Sequence, residues 1–281
     1  MVKLPNPITA RPRLGSRIIV RSYVRRYLKA LYKELADWID VHQERAVKLL
    51  VYSICYVEEF MTQYMDHLLI AVYKAILNRE NKVVTKHIRQ SCRLLGRYVK
   101  PSAYSPLVVQ AIKNELASFY SYTSSGALMT YGYLFAGSIE LLQPGQDCTI
   151  MADSLKEFVK AVDEKVIDSV DIETADLLIH SLNVIIDELI KKQEEGIDIR
   201  IIEEYLPKIT NFILRCQAAY MTYKLQRKED PTPIKESKLL ALKVLKNLNL
   251  VCGKKDIDFF DTQVVAIIEK EYMELIELYD V

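Results

Sequence analysis

The chain has 281 residues, half of them hydrophobic and 27% charged, with a formal net charge of +1, values that exclude a disordered or polyionic polypeptide. Only 8 Gly and 9 Pro are available for turns, which favours long helices, and no apolar run reaches the roughly 18 residues that suggest a membrane span. Five cysteines stand 36 to 68 residues apart without a C-x-x-C pair, which excludes a zinc ribbon or a disulfide framework and reads as reduced core thiols of a cytoplasmic protein. The near-neutral total conceals an asymmetry: residues 1–100 hold 19 basic and 8 acidic side chains, and the rest of the chain holds 19 and 29. Such polarity steers partners of opposite sign to different regions.

Residues 1–15 are basic and contain proline, lack the apolar centre of a signal peptide, and are expected to be a foreign or disordered segment ahead of one helical domain, 16–281. Between 16 and 38, Val20, Tyr23, Val24, Tyr27, Leu28, Leu31 and Leu35 recur at three and four, the period of an amphipathic helix. A turn at 37–41 leads to a second apolar run with Ala46, Val47, Leu50 and Ile54. The pattern restarts at Phe60, turns at 78–81 and returns through Val84, Ile88, Cys92, Leu95 and Val99. Pro101 marks a helix start, 122–126 an expected turn, and 127–142 the returning helix. A fourth pair is expected over 150–166 and 173–192, and a fifth over 199–227 and 234–250, with Pro207 predicting a kink or a helix start. A last helix over 258–279 closes the chain.

The first two pairs echo each other. Ala30-Leu31-Tyr32-Lys33 recurs as Ala71-Val72-Tyr73-Lys74 at an offset of 41, and Val47-Lys48-Leu49-Leu50 as Cys92-Arg93-Leu94-Leu95 at 45, which predicts a second hairpin longer by about one helical turn. Periods of this size belong to stacked helix pairs, whose wide apolar faces need neighbours on both sides. The expected fold is therefore all-α: an α-solenoid of about five antiparallel helix pairs plus a terminal helix.

Leu31-Tyr32-Lys33-Glu34-Leu35-Ala36-Asp37-Trp38, Arg45-Ala46-Val47-Lys48-Leu49-Leu50, His67-Leu68-Leu69 with Val72-Tyr73-Lys74-Ala75, and Leu94-Leu95-Gly96-Arg97-Tyr98-Val99 together carry a resemblance. Over about 27–143 the chain resembles the C-terminal part of the HEAT-repeat dynein axonemal assembly factors, whose members are longer. That resemblance implies a non-catalytic cytoplasmic factor for preassembly of dynein arms. It also implies dynein subunits, notably an intermediate chain, and the cytosolic chaperone machinery as partners.

No catalytic arrangement stands out. His42, His67, His87 and His180 have no second ligand at i+4, and 126–133 has two glycines but no G-K-[ST] ending for a phosphate. Gly132 and Ala136 read as a close helix approach, and acidic clusters at 203–204 and 256–261 as solvated. No cofactor or metal is expected. One constellation exceeds background: Lys82, Lys86, Arg89, Arg93, Arg97 and Lys100 fall on one side of the fourth helix, without interleaved acids. Second helices of such pairs usually line the concave face, so the stripe is a candidate protein-binding surface. An ordinary solvated face and a nucleic-acid site are the alternatives, the latter opposed by the lack of interleaved aromatics and by the acidic C-terminal part. Asp176, His180, Asn183 and Asp187 form an uncharged-to-acidic stripe at similar spacing in the fourth pair, and Arg21, Arg25, Lys29 and Lys33 a second basic stripe on the first helix. A HEAT-type adaptor for another protein cargo remains an alternative function.

Overall fold

A computed structural model describes residues 8, 10–78, 80–113, 122–165, 172–197, 204–226 and 232–251. Ten α-helices follow in order among the described residues: α1 (Leu14–Leu35), α2 (Asp40–Val57), α3 (Met65–Ile76), α4 (Lys82–Tyr98), α5 (Pro101–Ile112), α6 (Tyr122–Ile139), α7 (Thr149–Lys165), α8 (Ile172–Glu194), α9 (Leu206–Gln226) and α10 (Thr232–Val251). No strand occurs among them, and Glu58–Tyr64 between α2 and α3 is a 3₁₀ segment. The odd-numbered helices stack on one another in one layer and the even-numbered helices in a second, so that five helix pairs follow one another as an α-solenoid. A continuous apolar core runs between the layers from Val24 to Val251.

The first two pairs show why the sequence repeats. Every buried residue of α1, Val24, Leu28, Leu31 and Leu35, has a buried counterpart 41 positions later in Met65, Leu69, Val72 and Ile76. The same offset of 41 maps Gln43, Val47, Leu50, Val51, Ser53, Ile54 and Cys55 of α2 onto Val84, Ile88, Ser91, Cys92, Leu94, Leu95 and Gly96 of α4. Cys92 is thus the equivalent of Val51, and the expected longer second hairpin is not found. An echo displaced by four residues falls on nearly the same face of a 3.6-residue helix, which is why the offset of 45 looked equally good.

Other boundaries differ for local reasons. The expected turn at 122–126 is the first turn of α6, where the Ser124 hydroxyl donates to the Ile112 carbonyl at 3.1 Å. Pro207 stands in the first turn of α9, where its missing N–H costs nothing. The expected restart at Phe60 falls in the 3₁₀ segment, and Phe60 is exposed. Of the expected N-terminal segment, Leu14 and Gly15 open α1, and Arg11 reaches the 3₁₀ segment. The expected helix over 258–279 lies outside the described residues.

Helix α6 holds the stack together. Its sequence, YTSSGALMTYGYLFAGSI, has no charged residue, and 126–139 are buried on every side against α3, α4, α5 and α8. Such a helix gains little from propensity and depends on its neighbours. A Cβ on Gly96 of α4 would sit 1.8 Å from the Leu134 carbonyl oxygen, and one on Gly137 of α6 would sit 2.0 Å from that of Arg93. Backbone therefore touches backbone at both crossings. Gly132 meets Ser181 of α8 in the same way, at 2.6 Å from its hydroxyl, as its sequence position suggested. The hydroxyl of Ser138 donates to the Gly96 carbonyl at 2.7 Å and pairs with Tyr104 at 3.0 Å, which satisfies polar groups that the dry contact would otherwise strand.

Glu58, the residue that ends α2, is held by the start of α1. Its backbone has φ 55° and ψ −130°, a conformation costly for a residue with a Cβ, and its side chain is fully buried. Arg11 binds the carboxylate through two nitrogens at 2.6 and 2.8 Å, Arg17 at 2.5 Å and Arg21 at 2.9 Å. Burial pushes this carboxyl upward, but the hydrogen bonds and charges of Arg11 and Arg17 outweigh it and hold it below the ordinary glutamate value.

Replacing Gly96 or Gly137 by Ala should cost about 3 kcal/mol or more in urea unfolding, because backbone must yield at each contact, whereas Gly15→Ala, with open space around it, should be neutral. Since the folded carboxyl of Glu58 titrates lower than in the unfolded chain, its contribution is complete above about pH 4.3 and is lost as the pH falls further. The stability difference between wild type and Glu58→Gln, followed by thermal melts, should be large at pH 7 and shrink toward zero below pH 4.3.

Candidate functional site

Helix α4 starts where the side chain of Asn81 accepts hydrogen bonds from the backbone N–H of Val83 and Val84, at 3.0 and 3.1 Å. Such a cap contributes about 1 kcal/mol and fixes where the helix begins. With Val84, Ile88, Cys92 and Leu95 turned into the core, Lys82 and Lys86 project into solvent and Arg89, Arg93 and Arg97 lie half-buried beside α6. The sixth predicted residue, Lys100, is off the helix: α4 ends at Tyr98, and Lys100 is the exposed residue that caps α5.

Acids absent from α4 are supplied by its neighbours. Arg93 donates to Glu140, just past α6, at 2.6 Å and to Glu188 of α8 at 3.0 Å. Arg97 binds the other oxygen of Glu140, and Lys191 reaches Glu188 at 3.1 Å. Glu188 is only 5% exposed, so its charge depends on these cations. Burial acts against the charge of Arg93, yet the hydrogen bonds and charge of Glu140 and Glu188 more than restore it, and its pKa rises. The guanidinium of Arg89 stands 5.6 Å from the centroid of the Tyr133 ring. Three of the six stripe residues therefore clamp α4 to α6 and α8, and the positive charge offered outward is that of Lys82, Lys86 and Lys100.

The polar stripe on α8 is likewise occupied. Lys243 of α10 donates to Asn183 at 3.2 Å and to Asp187 at 2.9 Å, Asn247 donates to Asp187 at 3.0 Å, and Ser237 to Asp176 at 2.8 Å. These contacts continue the polar ladder along the even-numbered layer. Sequence reading of single helices could not reveal them, since the partners lie 43 to 95 positions away.

The histidines are ordinary. His42 bonds Asp37 at 2.8 Å, His87 bonds the Val83 carbonyl at 2.8 Å, and His67 and His180 lie beside Asp66 and Asp176 at 3.8 and 3.9 Å. Among the described residues no three His, Cys, Asp or Glu side chains are placed to hold a metal ion, and no described helix is long and apolar enough to cross a membrane. Burial pushes the thiols of Cys92 and Cys216 up to about 12 and that of Cys55 to about 11, so none is a thiolate near neutral pH. The two-glycine segment 126–133 is buried α6 helix, with no loop to cradle a phosphate. Of the two acidic clusters, Glu204 is exposed and the other residues lie outside the described ones.

Stacked helix pairs, the first two related by an offset of 41 and joined through successive second helices, define a HEAT-repeat α-solenoid. Residues 3–137 match the profile of the family described as Dynein axonemal assembly factor 5, HEAT-repeat domain. The chain is 30% identical over 109 residues to a Xenopus laevis protein named dynein axonemal assembly factor 5, covering 38% of this chain and 13% of that protein. It is 26% identical over 148 residues to the mouse protein of that name, covering 53% and 16%, and 27% identical over 138 residues to the human one, covering 49% and 15%. The resemblance to HEAT-repeat dynein assembly factors thus holds, over a stretch that includes α1 to α5 and nearly all of α6. The aligned parts are about one-seventh of those relatives' lengths.

Arg93→Ala would leave Glu140 and Glu188 short of a cation at a half-buried junction, and urea unfolding should register a loss of about 2–4 kcal/mol. Lys82→Ala or Lys86→Ala should change stability by no more than about 0.5 kcal/mol.

Proposed function

We propose that this chain is part of a non-catalytic scaffold, or co-chaperone-like factor, for preassembling axonemal dynein arms in the cytoplasm. It holds a dynein intermediate chain and other axonemal dynein subunits on its solenoid surface, beside the cytosolic chaperone machinery. The observation that carries this reading is the match of residues 3–137 to the HEAT-repeat domain of the dynein axonemal assembly factor 5 family. A solenoid suits the task because it offers a long surface made of many small contributions, and not one enclosed pocket.

Within the matched stretch, Lys82, Lys86 and Lys100, exposed and without a partner among the described residues, are the groups of the α4 stripe that an acidic subunit would meet. Arg89, Arg93 and Arg97 serve this surface indirectly, by holding α4 in place. Charges on a rim act mainly on the rate of encounter and give a marked salt dependence.

Affinity purification of the tagged protein from ciliated cells should recover axonemal dynein intermediate chain. The combined variant Lys82→Glu, Lys86→Glu and Lys100→Glu should recover about tenfold less while melting like wild type. Absence of any dynein subunit with the wild-type bait would overturn the function, and undiminished recovery with the triple variant would overturn the surface.

A further inference from the structure

The odd-numbered layer carries a different feature. Between α1 and α3 lies an open groove of about 860 Å³. One wall is the part of the α1 basic stripe that the fold does not use. Arg21, the first member, is consumed internally: it bonds the Val57 carbonyl at 3.1 Å, Glu58 at 2.9 Å and Glu59 at 3.1 Å, and covers the Phe60 ring at 4.2 Å. Arg25, Lys29 and Lys33 continue the row along the groove; all three are exposed, and none has a hydrogen-bond or ion-pair partner among the described residues. The floor is apolar, with Leu28 and Ala71 buried and Ile70 41% exposed. The buried hydroxyl of Tyr32, at the same wall, finds no partner among the described residues.

We infer that this groove is a docking site for an acidic amphipathic helix of a partner protein. Arg25, Lys29 and Lys33 are spaced four residues apart, about 6 Å per step along α1. A helix laid alongside that carries Glu or Asp at i, i+4 and i+8 presents carboxylates at the same step, and its apolar residues at i+3 and i+7 reach the floor. Charge complementarity selects an acidic partner, and the apolar floor selects one with a greasy side. Asp66 on the opposite wall repels a chain that is anionic all round, whereas an amphipathic helix can turn its carboxylates toward α1 alone. This site belongs to the other helix layer from Lys82 and Lys86, so it stands or falls independently of the α4 surface.

Fluorescence polarisation with a fluorescein-labelled helical peptide, Glu at its polar positions and Leu at helical spacing, tests the assignment. The wild-type protein should bind it, more weakly as salt rises, and should not bind the same peptide with Lys in place of Glu. Lys29→Glu with Lys33→Glu should weaken binding about tenfold, and Ile70→Asp should weaken it through the floor. The lysine variant should keep the wild-type melting temperature, because Lys29 and Lys33 have no hydrogen-bond or ion-pair partner among the described residues. Lys82→Glu with Lys86→Glu should leave peptide binding unchanged. The inference is overturned by no binding to the wild type, by insensitivity to the groove variants, by an equal loss in the α4 variant, or by preferential binding of a single-stranded DNA oligonucleotide.

Discussion

Backbone contact at the centre of the stack is the constraint on which the remaining structure depends. Gly96 and Gly137 bring α4 and α6 so close that each peptide carbonyl lies where the other helix would have a Cβ, and Gly132 repeats this toward α8. Dispersion falls steeply with distance, so such approach converts an uncharged helix of poor intrinsic propensity into a well-packed centre. Some of the polar groups trapped there are met, since Ser138, Tyr104, Ser105, Ser154 and Tyr131 bond one another or the backbone, while the buried hydroxyls of Ser91, Thr130 and Ser181 have no partner among the described residues. Packing this close also fixes which side of α4 faces outward. The rotation of the basic stripe is therefore a consequence of two glycines rather than of its charges.

Electrostatics then acts on what packing has arranged. Basic side chains dominate residues 1–100, and the acids that answer Arg93 and Arg97 come from beyond that segment, in Glu140 and Glu188. The asymmetry of charge along the sequence is partly resolved inside the fold, between consecutive pairs. Arginine suits these junctions because its planar fork reaches two carboxylates at once and it keeps its charge when half-buried. On α4 the lysines, strongly hydrated point charges, remain at the exposed positions.

Much of the architecture was legible because it is written in local periodicity. The A-x-Y-K echo at Ala30 and Ala71 marks equivalent ends of α1 and α3, and helices after Pro101 and at Pro207 begin near the prolines that signal them. Errors arose where helical geometry is degenerate or where distant residues decide. An apolar face repeats every turn, so Cys92 could be paired with Val47 or Val51 on pattern alone. Gly126 beside two serines reads as a turn locally, yet it sits against the backbone of Tyr73. Nothing near Glu58 in sequence announces that Arg11, Arg17 and Arg21 converge on it. Five residues of the basic stripe lie on α4 and Lys100 beyond it, and whether their charges are free depends on partners on or just past α6 and on α8.

The stacking itself has a kinetic meaning. Because helices meet mainly those of their own or the adjoining pair, sequence separations between touching residues stay modest, and low contact order favours rapid assembly. The α4–α6–α8 junction, dry and joined at the backbone, concentrates cohesion in the middle of the array. Among the described helices, α6 therefore has far more packing to lose on local opening than α1.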